Sequence, residues 1–360
     1  AFLTEVFDYL YAEWETTEQE LRRLTTPAEK YYRDELDPFG NGLPNEWEIK
    51  KNIILHNLYG VDLNAESVEI TKLSLWLKTA NRKNSLASLT DNIKQGNSLI
   101  SDPKAAGEDA FNWEQEFPEI MQAGGFDVVV GNPPYFSLSK QQETAAYFEK
   151  SRYETYQKGT DIYVLFYERG IRLLKEGGHL SYITSNSWLR ANYGRPLRKF
   201  IRQYTQPISL LEIEDKQLFE DAVVESNILA LKKGTCRQSF PVRKLLDLQG
   251  SGGETTKENG ETRIIWNTST YSEYLYDLPQ DDNWILGSAM TASLKEKIEA
   301  NAMLLSNKDV LIKVGLLTGL NDAFIIDADA REKLIEADPK SEEIIKPILR
   351  GRDVQRYEYH

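Results

Sequence analysis

The chain has 360 residues, a formal net charge of -13 and a hydrophobic fraction of 41%, which suffices for one large core and a second domain. Its single cysteine, Cys236, excludes an internal disulfide, and 3 histidines without paired cysteine-histidine spacing argue against a zinc site, so a reducing, cytoplasmic setting is expected. No apolar run approaches the roughly 20 residues that cross a bilayer, which predicts no membrane partner.

Short apolar strands alternate with helices in the first part of the chain. The segment "NLYGVDLN" at 57–64 predicts a strand that ends in an acid, and "SVEITKLSLWLK" at 67–78 has the apolar spacing of a helix. "NIKQGNSLI" at 92–100 predicts a second strand with a polar end. "FDVVVGNPPY" at 126–135 predicts a third, whose three valines at 128–130 suit burial on both faces of a sheet.

The alternation continues beyond the third strand. "TDIYVLFYERGIRLLKEGG" predicts a helix with Asp161 near its start and Gly177–Gly178 at its stop, followed by a strand in "HLSYITSNSW". A basic helix, "YGRPLRKFIRQY", and two strands, "PISLLEI" and "ESNILALKK", come next. Strands that alternate with helices predict an α/β fold with a doubly wound sheet and helices on both faces.

Two features mark the later part of the chain. Residues 249–261 are polar and glycine-rich and predict an exposed loop or a hairpin tip. From about Asp281 the pattern changes to a separate α/β mixture. The sequence therefore predicts one domain over residues 1–280 and a second over residues 281–360.

Three of the predicted strands end in polar residues of different kinds. In an open α/β sheet, ligands bind in the crevice beyond the carboxyl ends of the strands. Asp62, at the first end, can accept two hydrogen bonds from a ribose diol, and Asn97 with Ser98, at the second, can read the edge of an adenine ring. Each has an ordinary alternative, because Asp62 could cap a helix and Asn97 could serve a turn. Their recurrence at successive strand ends favours a nucleoside-type cofactor.

The third predicted strand ends in "NPPY", residues 132–135. Proline fixes φ and lacks an N–H, so two prolines in succession hold the backbone extended. The Asn132 side-chain oxygen and the Pro133 carbonyl can then face outward as two acceptors for a planar NH2 group, which frees the nitrogen lone pair for attack. Tyr135 supplies a flat face for a heteroaromatic ring. The alternative is a tight turn, which explains the prolines but not the aromatic residue.

At this point the sequence resembles a known family. "NPPY" after an apolar strand is similar to the catalytic motif of S-adenosylmethionine-dependent amino-methyltransferases, especially adenine-N6 DNA methylases. "NLYGVDLNAESVEITKLSLWL", "GTDIYVLFYERGIRLLKEGGHLSYITSNSWLR" and "LFEDAVVESNILALKK" resemble the methylase part of type IIG restriction–modification enzymes and related phage-defence methylases. "GLLTGLNDAFIID" and "IIKPILRGRDVQRY" resemble the start of their target-recognition domain. The resemblance implies a Rossmann-like methyltransferase sheet and double-stranded DNA as partner.

The resemblance also implies roles for individual residues. Asn132 and Pro133 would hold the adenine amine, with Pro134 beside them, and Tyr135 and Phe219 would sandwich the extruded base. The cofactor would contact residues at the strand ends and one helix residue: Asp62, Leu63, Asn97, Ser98, Asn132 and Phe166. The family more often has Asp at the position of Asn97, and core packing is an equally good explanation for Phe166. The implied reaction is direct methyl transfer to N6 of an adenine flipped from the duplex.

One expected element has no counterpart in the sequence. The family's cofactor loop has a form like "DPACGSGAFL", whereas this chain begins "AFLTEV". "DPFGNGLP" at 37–44 is not a substitute, since charged, helix-like residues precede it. The first strand of the sheet and the glycine loop are therefore expected to be missing. The chain is expected to be a piece of a larger enzyme that binds S-adenosylmethionine weakly or not at all, with any fused nuclease outside it.

Several alternatives remain open. The amine acceptor could be cytosine N4, although those enzymes more often carry Ser at the Asn132 position, or it could belong to RNA or to a protein glutamine. A non-catalytic DNA-recognition or phage-defence subunit could keep the same fold. The acidic net charge argues against nucleic acid as partner but allows a local basic groove. The helix "RPLRKFIRQY" could contact phosphate, but a solvated helix face explains it better.

Overall fold

The structure is a computed structural model with two compact units, Ala1–Leu294 and Lys295–His360. It describes residues 2–23, 45–80, 88–151, 153–213, 225–236, 239–245, 254–258, 261–265, 271–278, 284–286, 293–294, 297–298, 300–303, 325–347, 354–355 and 358–359. The assignment of 281–360 to a recognition domain stays a prediction.

The helices of the first unit lie mostly between its strands. They are α1 (Phe2–Arg23), α2 (Glu46–His56), α3 (Ala65–Thr79), α4 (Pro103–Ala106), α5 (Trp113–Glu116), α6 (Pro118–Gln122), α7 (Gln142–Lys150), α8 (Tyr163–Leu173) and α9 (Arg195–Tyr204). The second unit contains α10 (Ala328–Ala337) and α11 (Ser341–Ile344). None of the helices in the described ranges is long and apolar enough to cross a membrane.

The strands form one large sheet and three small ones. They are β1 (Gly60–Asp62), β2 (Ile93–Gln95), β3 (Phe126–Gly131), β4 (Leu174–Ser185), β5 (Thr205–Ile213), β6 (Ser226–Lys233), β7 (Ser239–Leu245), β8 (Glu254–Glu258), β9 (Glu261–Ile265), β10 (Tyr271–Asp277), β11 (Val354–Gln355) and β12 (Glu358–Tyr359). The large sheet has the order β10-β7-β5-β6-β4-β3, and β1 pairs with β2, β8 with β9 and β11 with β12.

The pairing directions make the large sheet mixed. β3–β4 and β5–β7 are parallel, whereas β4–β6, β5–β6 and β7–β10 are antiparallel. The separate β1–β2 pair is parallel. The predicted α/β class is confirmed, since β1 to β5 alternate with helices. Part of the glycine-rich segment 249–261 forms β8, one strand of an antiparallel hairpin with β9.

The predicted burial of the valines on both faces of β3 is wrong. Val128 is 57% exposed and Val130 is 36% exposed. Of the three valines, Val129 packs against the main core, the cluster of buried residues that includes Tyr163, Leu180 and Leu229. β3 stands last in the order of the large sheet, and its one strand partner among the residues that the structure describes is β4. Side chains alternate between the two faces of a strand, so Val128 and Val130 share the face opposite to Val129, and that face is the accessible one.

An aromatic cluster, rather than a strand ladder, joins β1–β2 to β3. Tyr59, just before β1, and Phe126, the first residue of β3, have ring centroids 5.9 Å apart. Phe117 and Trp113 contact Phe126 at 6.0 Å and 5.9 Å. Edge-to-face contacts at such distances are favourable for aromatic rings. The cluster therefore places the amino end of β3 beside the amino end of β1.

The helices before β2 are fixed by caps and by a core of their own. Asn45 and Glu48 form a capping box at the start of α2, and Asn64 accepts the Ser67 N–H at the start of α3. The first core packs α1, α2 and α3 around β2 through buried apolar residues: Phe7, Ile53, Ile54, Leu58, Val68, Leu75, Leu89 and Ile93. This packing supports the short strands that carry Asp62 and Asn97.

Three predicted element boundaries are wrong. The helix that contains Tyr163 ends at Leu173, and Gly177–Gly178 lie within β4 instead of at the helix stop. Phe126 pairs with Leu174 but Val128 pairs with His179, so residues 175–178 form a bulge, with Gly177 at φ +78°. The strand predicted at 92–100 shortens to β2, and "NSWL" at 186–189 is a 3-10 turn after β4.

Candidate active site

The acceptor segment, residues 132–136, leaves β3 as irregular chain. The last ladder pair is Gly131 with Tyr182 of β4. Asn132 and Pro134 are exposed, Pro133 is buried and Tyr135 is half-buried. Within the described ranges, the Asn132 side chain makes no hydrogen bond, so its oxygen can accept one from a ligand. This arrangement agrees with the predicted outward-facing amide.

The Tyr135 side chain is held at two points. Its hydroxyl donates to the carbonyl oxygen of Ile183 at 2.9 Å, and its ring meets the Tyr163 ring edge to face, with centroids 5.9 Å apart and planes at 80°. Burial raises the pKa of Tyr135 to about 12. The phenol therefore stays a hydrogen-bond donor at neutral pH, and the ring has a fixed orientation.

A short backbone ladder holds the residues that follow Tyr135. The Ile162 N–H donates to the Phe136 carbonyl at 3.0 Å, and the Leu138 N–H donates to the Thr160 carbonyl at 3.0 Å. Ser137 and Asp161 form an antiparallel bridge between these bonds. The acceptor segment is thus attached to the residues that lead into α8, a contact that the sequence pattern did not indicate.

Asp62 ends β1, as predicted, and is exposed. Its Oδ1 accepts the Asn64 N–H at 2.8 Å, while Asn64 itself caps α3. The alternative of Asp62 as the helix cap is therefore wrong. Judged over the described residues, Oδ2 has no hydrogen-bond partner, so one carboxylate oxygen is available to a ribose hydroxyl.

Asn97 has a turn role as well as a place at the strand end. Its Oδ1 accepts the Leu99 N–H at 3.0 Å, and its own N–H donates to the Asp109 carbonyl at 2.7 Å. The Ser98 carbonyl accepts the Trp113 indole N–H at 3.0 Å. Of the Asn97 polar groups, Nδ2 stays unpaired in the part of the chain that the structure describes. The ordinary turn explanation holds for Asn97, and the adenine-binding role stays a prediction.

An apolar cluster joins the two halves of the candidate site. It consists of Leu99, Ile100, Leu138, Phe148 and Leu165, and we call it the Leu138 cluster. Leu99 follows Asn97 and Ser98, whereas Leu138 follows the acceptor segment. The structure therefore brings the β2 end and the β3 end onto one continuous support.

Tyr153 and Arg169 hold the segment after β2 from the other side. The Tyr153 hydroxyl donates to the Leu99 carbonyl at 2.9 Å, and Arg169 Nη2 donates to the same oxygen at 3.2 Å. Arg169 Nε also donates to the Tyr153 hydroxyl at 3.0 Å. No motif in the sequence pointed to these two residues, because they come from a loop and from α8, 54 and 70 residues beyond Leu99.

The remaining site predictions have different outcomes. Phe166 is half-buried and packs against both the main core and the Leu138 cluster, which favours the packing explanation. Phe219 lies outside the described residues, so its role stays a prediction. In the basic helix α9, Arg198 is 3% exposed and donates to the carbonyls of Trp188 and Ala191. Arg198 is thus a structural residue, neither a phosphate contact nor part of a solvated face.

The segment that contains these strand ends matches a known protein family. Residues 56–219 match the family described as Eco57I restriction-modification methylase. The methylase segment contains Asp62, Asn97 and the acceptor segment 132–136, so both halves of the candidate site lie within it. The resemblance to restriction–modification methylases is confirmed.

Several curated proteins that are similar to this chain are named as methyltransferases. The type II restriction enzyme and methyltransferase RM.Eco57I of Escherichia coli is 30% identical over 201 residues, which cover 52% of this chain and 20% of that protein. The type II methyltransferase M.PaeR7I of Pseudomonas aeruginosa is 28% identical, over 64% of this chain and 39% of that protein. The adenine-specific methyltransferase PglX of Streptomyces coelicolor is 26% identical, over 59% and 20%. The chain spans less than half the length of each of these relatives.

Proposed function

We propose that this chain is part of a DNA methyltransferase that transfers a methyl group from S-adenosylmethionine to N6 of an adenine flipped out of duplex DNA. The end of β3 carries the proposal. There, Asn132 is exposed with an unengaged side-chain oxygen, and Tyr135 lies three residues later with a fixed ring. An amine acceptor and a ring platform at this spacing suit a base with an exocyclic amine.

The chain's own residues perform the acceptor side of the reaction. The Asn132 oxygen and the Pro133 carbonyl accept the two amine hydrogens, which draws the nitrogen toward tetrahedral geometry and frees its lone pair. The Tyr135 ring supports the base by stacking. S-adenosylmethionine, when bound, supplies an electrophilic methyl group. The amine nitrogen held by Asn132 and Pro133 would take up that methyl group as the sulfur–methyl bond breaks with its electrons left on sulfur, and the amine would then lose one proton to solvent.

The β1 and β2 ends fit the nucleoside part of S-adenosylmethionine. Asp62 Oδ2, which has no partner among the described residues, can accept a hydrogen bond from a ribose hydroxyl, and Leu63, 55% exposed, offers an apolar surface to an adenine ring. Asn97 Nδ2 and the Ser98 side chain can bind the ring edge. Phe166 would support this side from the Leu138 cluster. These residues would hold the cofactor beside the acceptor segment.

The proposed function also implies partners and a location in the cell. Double-stranded DNA is the proposed substrate, and residues 281–360 are the proposed start of a target-recognition domain. A fused nuclease, as in the enzyme named RM.Eco57I, would lie outside this chain. The single cysteine supports a cytoplasmic location. Adenine is favoured over cytosine because position 132 is Asn and because one relative is named adenine-specific.

Tritium transfer from labelled S-adenosylmethionine to DNA, RNA and protein tests the proposal. The full-length protein is used, since this chain spans only part of its relatives' length. We expect label in DNA as N6-methyladenine, with its loss in Asn132→Ala and its retention in the matched control Asn52→Ala, an exposed residue of α2. Label in RNA or protein alone, or in cytosine, would contradict the proposal.

A non-catalytic DNA-recognition subunit is the second candidate. The same tritium assay separates the two candidates, because a subunit of this kind would bind DNA without incorporating label.

A further inference from the structure

Asp161 is placed beside the acceptor segment by its backbone. It forms the antiparallel bridge with Ser137, and its neighbours Thr160 and Ile162 make the two flanking hydrogen bonds of 3.0 Å. Asp161 was expected near the start of a helix, yet α8 begins at Tyr163 and the residue at its N-cap, Ile162, makes no side-chain cap bond. The Asp161 carboxylate is therefore available for another contact.

That contact is with Tyr193, in the short turn that precedes α9. The Tyr193 hydroxyl donates to Asp161 Oδ2 at 2.7 Å, and the Tyr193 and Tyr163 hydroxyl oxygens are 2.9 Å apart. A carboxylate can only accept hydrogen bonds, so the Tyr193 hydroxyl donates its hydrogen to Asp161. It therefore accepts a hydrogen bond from the Tyr163 hydroxyl. The chain of bonds thus has one direction, from Tyr163 through Tyr193 to Asp161.

The Tyr163 end of this chain touches the proposed base platform. Tyr163 is fully buried at 0% exposure, and its ring stands edge to face with the Tyr135 ring. Burial and, to a smaller extent, Asp161 raise the pKa of Tyr193 to about 12, and burial also raises the pKa of Tyr163 far above its usual value. Both hydroxyls therefore keep their hydrogens at neutral pH, and the direction of the bonds does not change.

We propose that Asp161, acting through Tyr193 and Tyr163, positions Tyr135 as the platform for the target base. The backbone of its neighbours Thr160 and Ile162 holds the residues just after Tyr135, while the Asp161 carboxylate orients the ring that abuts Tyr135. All three are positioning residues, and none touches the reacting atoms. This inference deepens the proposed function and rests on it.

The test uses 9-methyladenine as probe and saturation-transfer NMR on the chain as it is. Tyr135→Ala defines the part of the signal that depends on the platform. We expect Tyr193→Phe and Asp161→Ala to lower that part at least threefold. Asp161→Asn should restore it, since its amide oxygen can still accept from Tyr193. The matched control is Tyr204→Phe, which also removes a tyrosine hydroxyl that meets a carboxylate, that of Glu154 at 3.5 Å.

Thermal melting of the same variants separates positioning from general stability. If Tyr193 acts by positioning, Tyr193→Phe should lose the Tyr135-dependent signal. Its melting temperature should fall no further than that of Tyr204→Phe. A Tyr135-dependent signal that Tyr193→Phe leaves unchanged would overturn the inference and leave the proposed function standing. A signal insensitive to Tyr135→Ala would also overturn it, because no platform would exist to hold. The proposed function itself is judged by the tritium assay.

Discussion

The Tyr135 hydroxyl donates a hydrogen bond of 2.9 Å to the carbonyl oxygen of Ile183. Tyr135 belongs to the chain that leaves β3, whereas Ile183 lies within β4, one residue beyond the last β3–β4 ladder pair. The bond therefore continues the attachment of the two strands where their backbone pairing stops. Together with the contact between the Tyr135 and Tyr163 rings, it sets the position of the Tyr135 ring.

Replacing Tyr135 with Phe separates the ring from this bond. We expect Tyr135→Phe to lower the free energy of unfolding by about 1 kcal/mol, because the half-buried Ile183 carbonyl loses a partner. Urea unfolding measures the change. Methylation by the full-length protein should fall only severalfold in this variant, since the flat ring remains, and should vanish in Tyr135→Ala. Equal activity in the two variants would contradict the platform role.

The Tyr153 phenol is expected to lower the stability of the folded chain at alkaline pH. Burial raises the pKa of Tyr153 to about 12, against the lowering effect of Arg169, whereas an exposed tyrosine in the unfolded chain has a pKa of about 10. Between these values the folded chain binds more protons, so stability is fully present below pH 10 and is lost as pH rises toward 12. Unfolding measured from pH 9 to 12 should show a shallower fall in Tyr153→Phe, by up to about 1 kcal/mol per pH unit. An unchanged slope would contradict the burial effect.

Arg169 is expected to control the order of the segment after β2. Arg169→Ala removes one of the two donors to the Leu99 carbonyl and the partner of the Tyr153 hydroxyl. Hydrogen exchange of residues 97–100 should then speed up, and the free energy of unfolding should drop by about 1 to 2 kcal/mol. Arg331→Ala, in the second unit, serves as control because its ion pair with Glu342 at 3.6 Å is exposed and should contribute little. Unaltered exchange at 97–100 would show that Tyr153 and the Leu138 cluster hold this segment without Arg169.

The sequence predicts where the strands of the candidate site end, but not the distant residues that hold those ends in place. The end of β1 at Asp62 and the end of β3 at Asn132 follow from local patterns, because an apolar strand followed by a polar or proline-rich stop is a short-range signal. Tyr153 and Tyr193 act on groups far from them in the chain, and no periodicity marks a hydroxyl that meets a distant carbonyl or carboxylate. The valines of β3 were misjudged for a related reason, since an apolar run does not reveal which strands pair beside it.

The position of β3 at the sheet edge can be tested through its valines. Val128 is 57% exposed, so Val128→Ala should change the free energy of unfolding by less than about 0.5 kcal/mol. Val129 packs against the main core, so Val129→Ala should cost about 1 kcal/mol or more. The two neighbours are matched in size and in strand, and urea unfolding compares them directly. A larger cost at Val128 than at Val129 would mean that the face of β3 that carries Val128 is covered in solution.

The same open edge bears on cofactor affinity. Asp62 and the acceptor segment stand at the ends of β1 and β3, and in the residues described no strand pairs with β1 on the side away from β2. Asp62 and Leu63 are both exposed, so a bound nucleoside would keep much of its contact with water. A few exposed contacts barely exceed the entropy lost on binding. We therefore expect calorimetry to give a Kd for S-adenosylmethionine weaker than about 100 μM, close to -5.5 kcal/mol.

Asp62→Ala should abolish the heat of S-adenosylmethionine binding, whereas Asp91→Ala, at an exposed turn residue, should leave it intact. A Kd below about 1 μM would show that the described strand ends suffice to hold the cofactor.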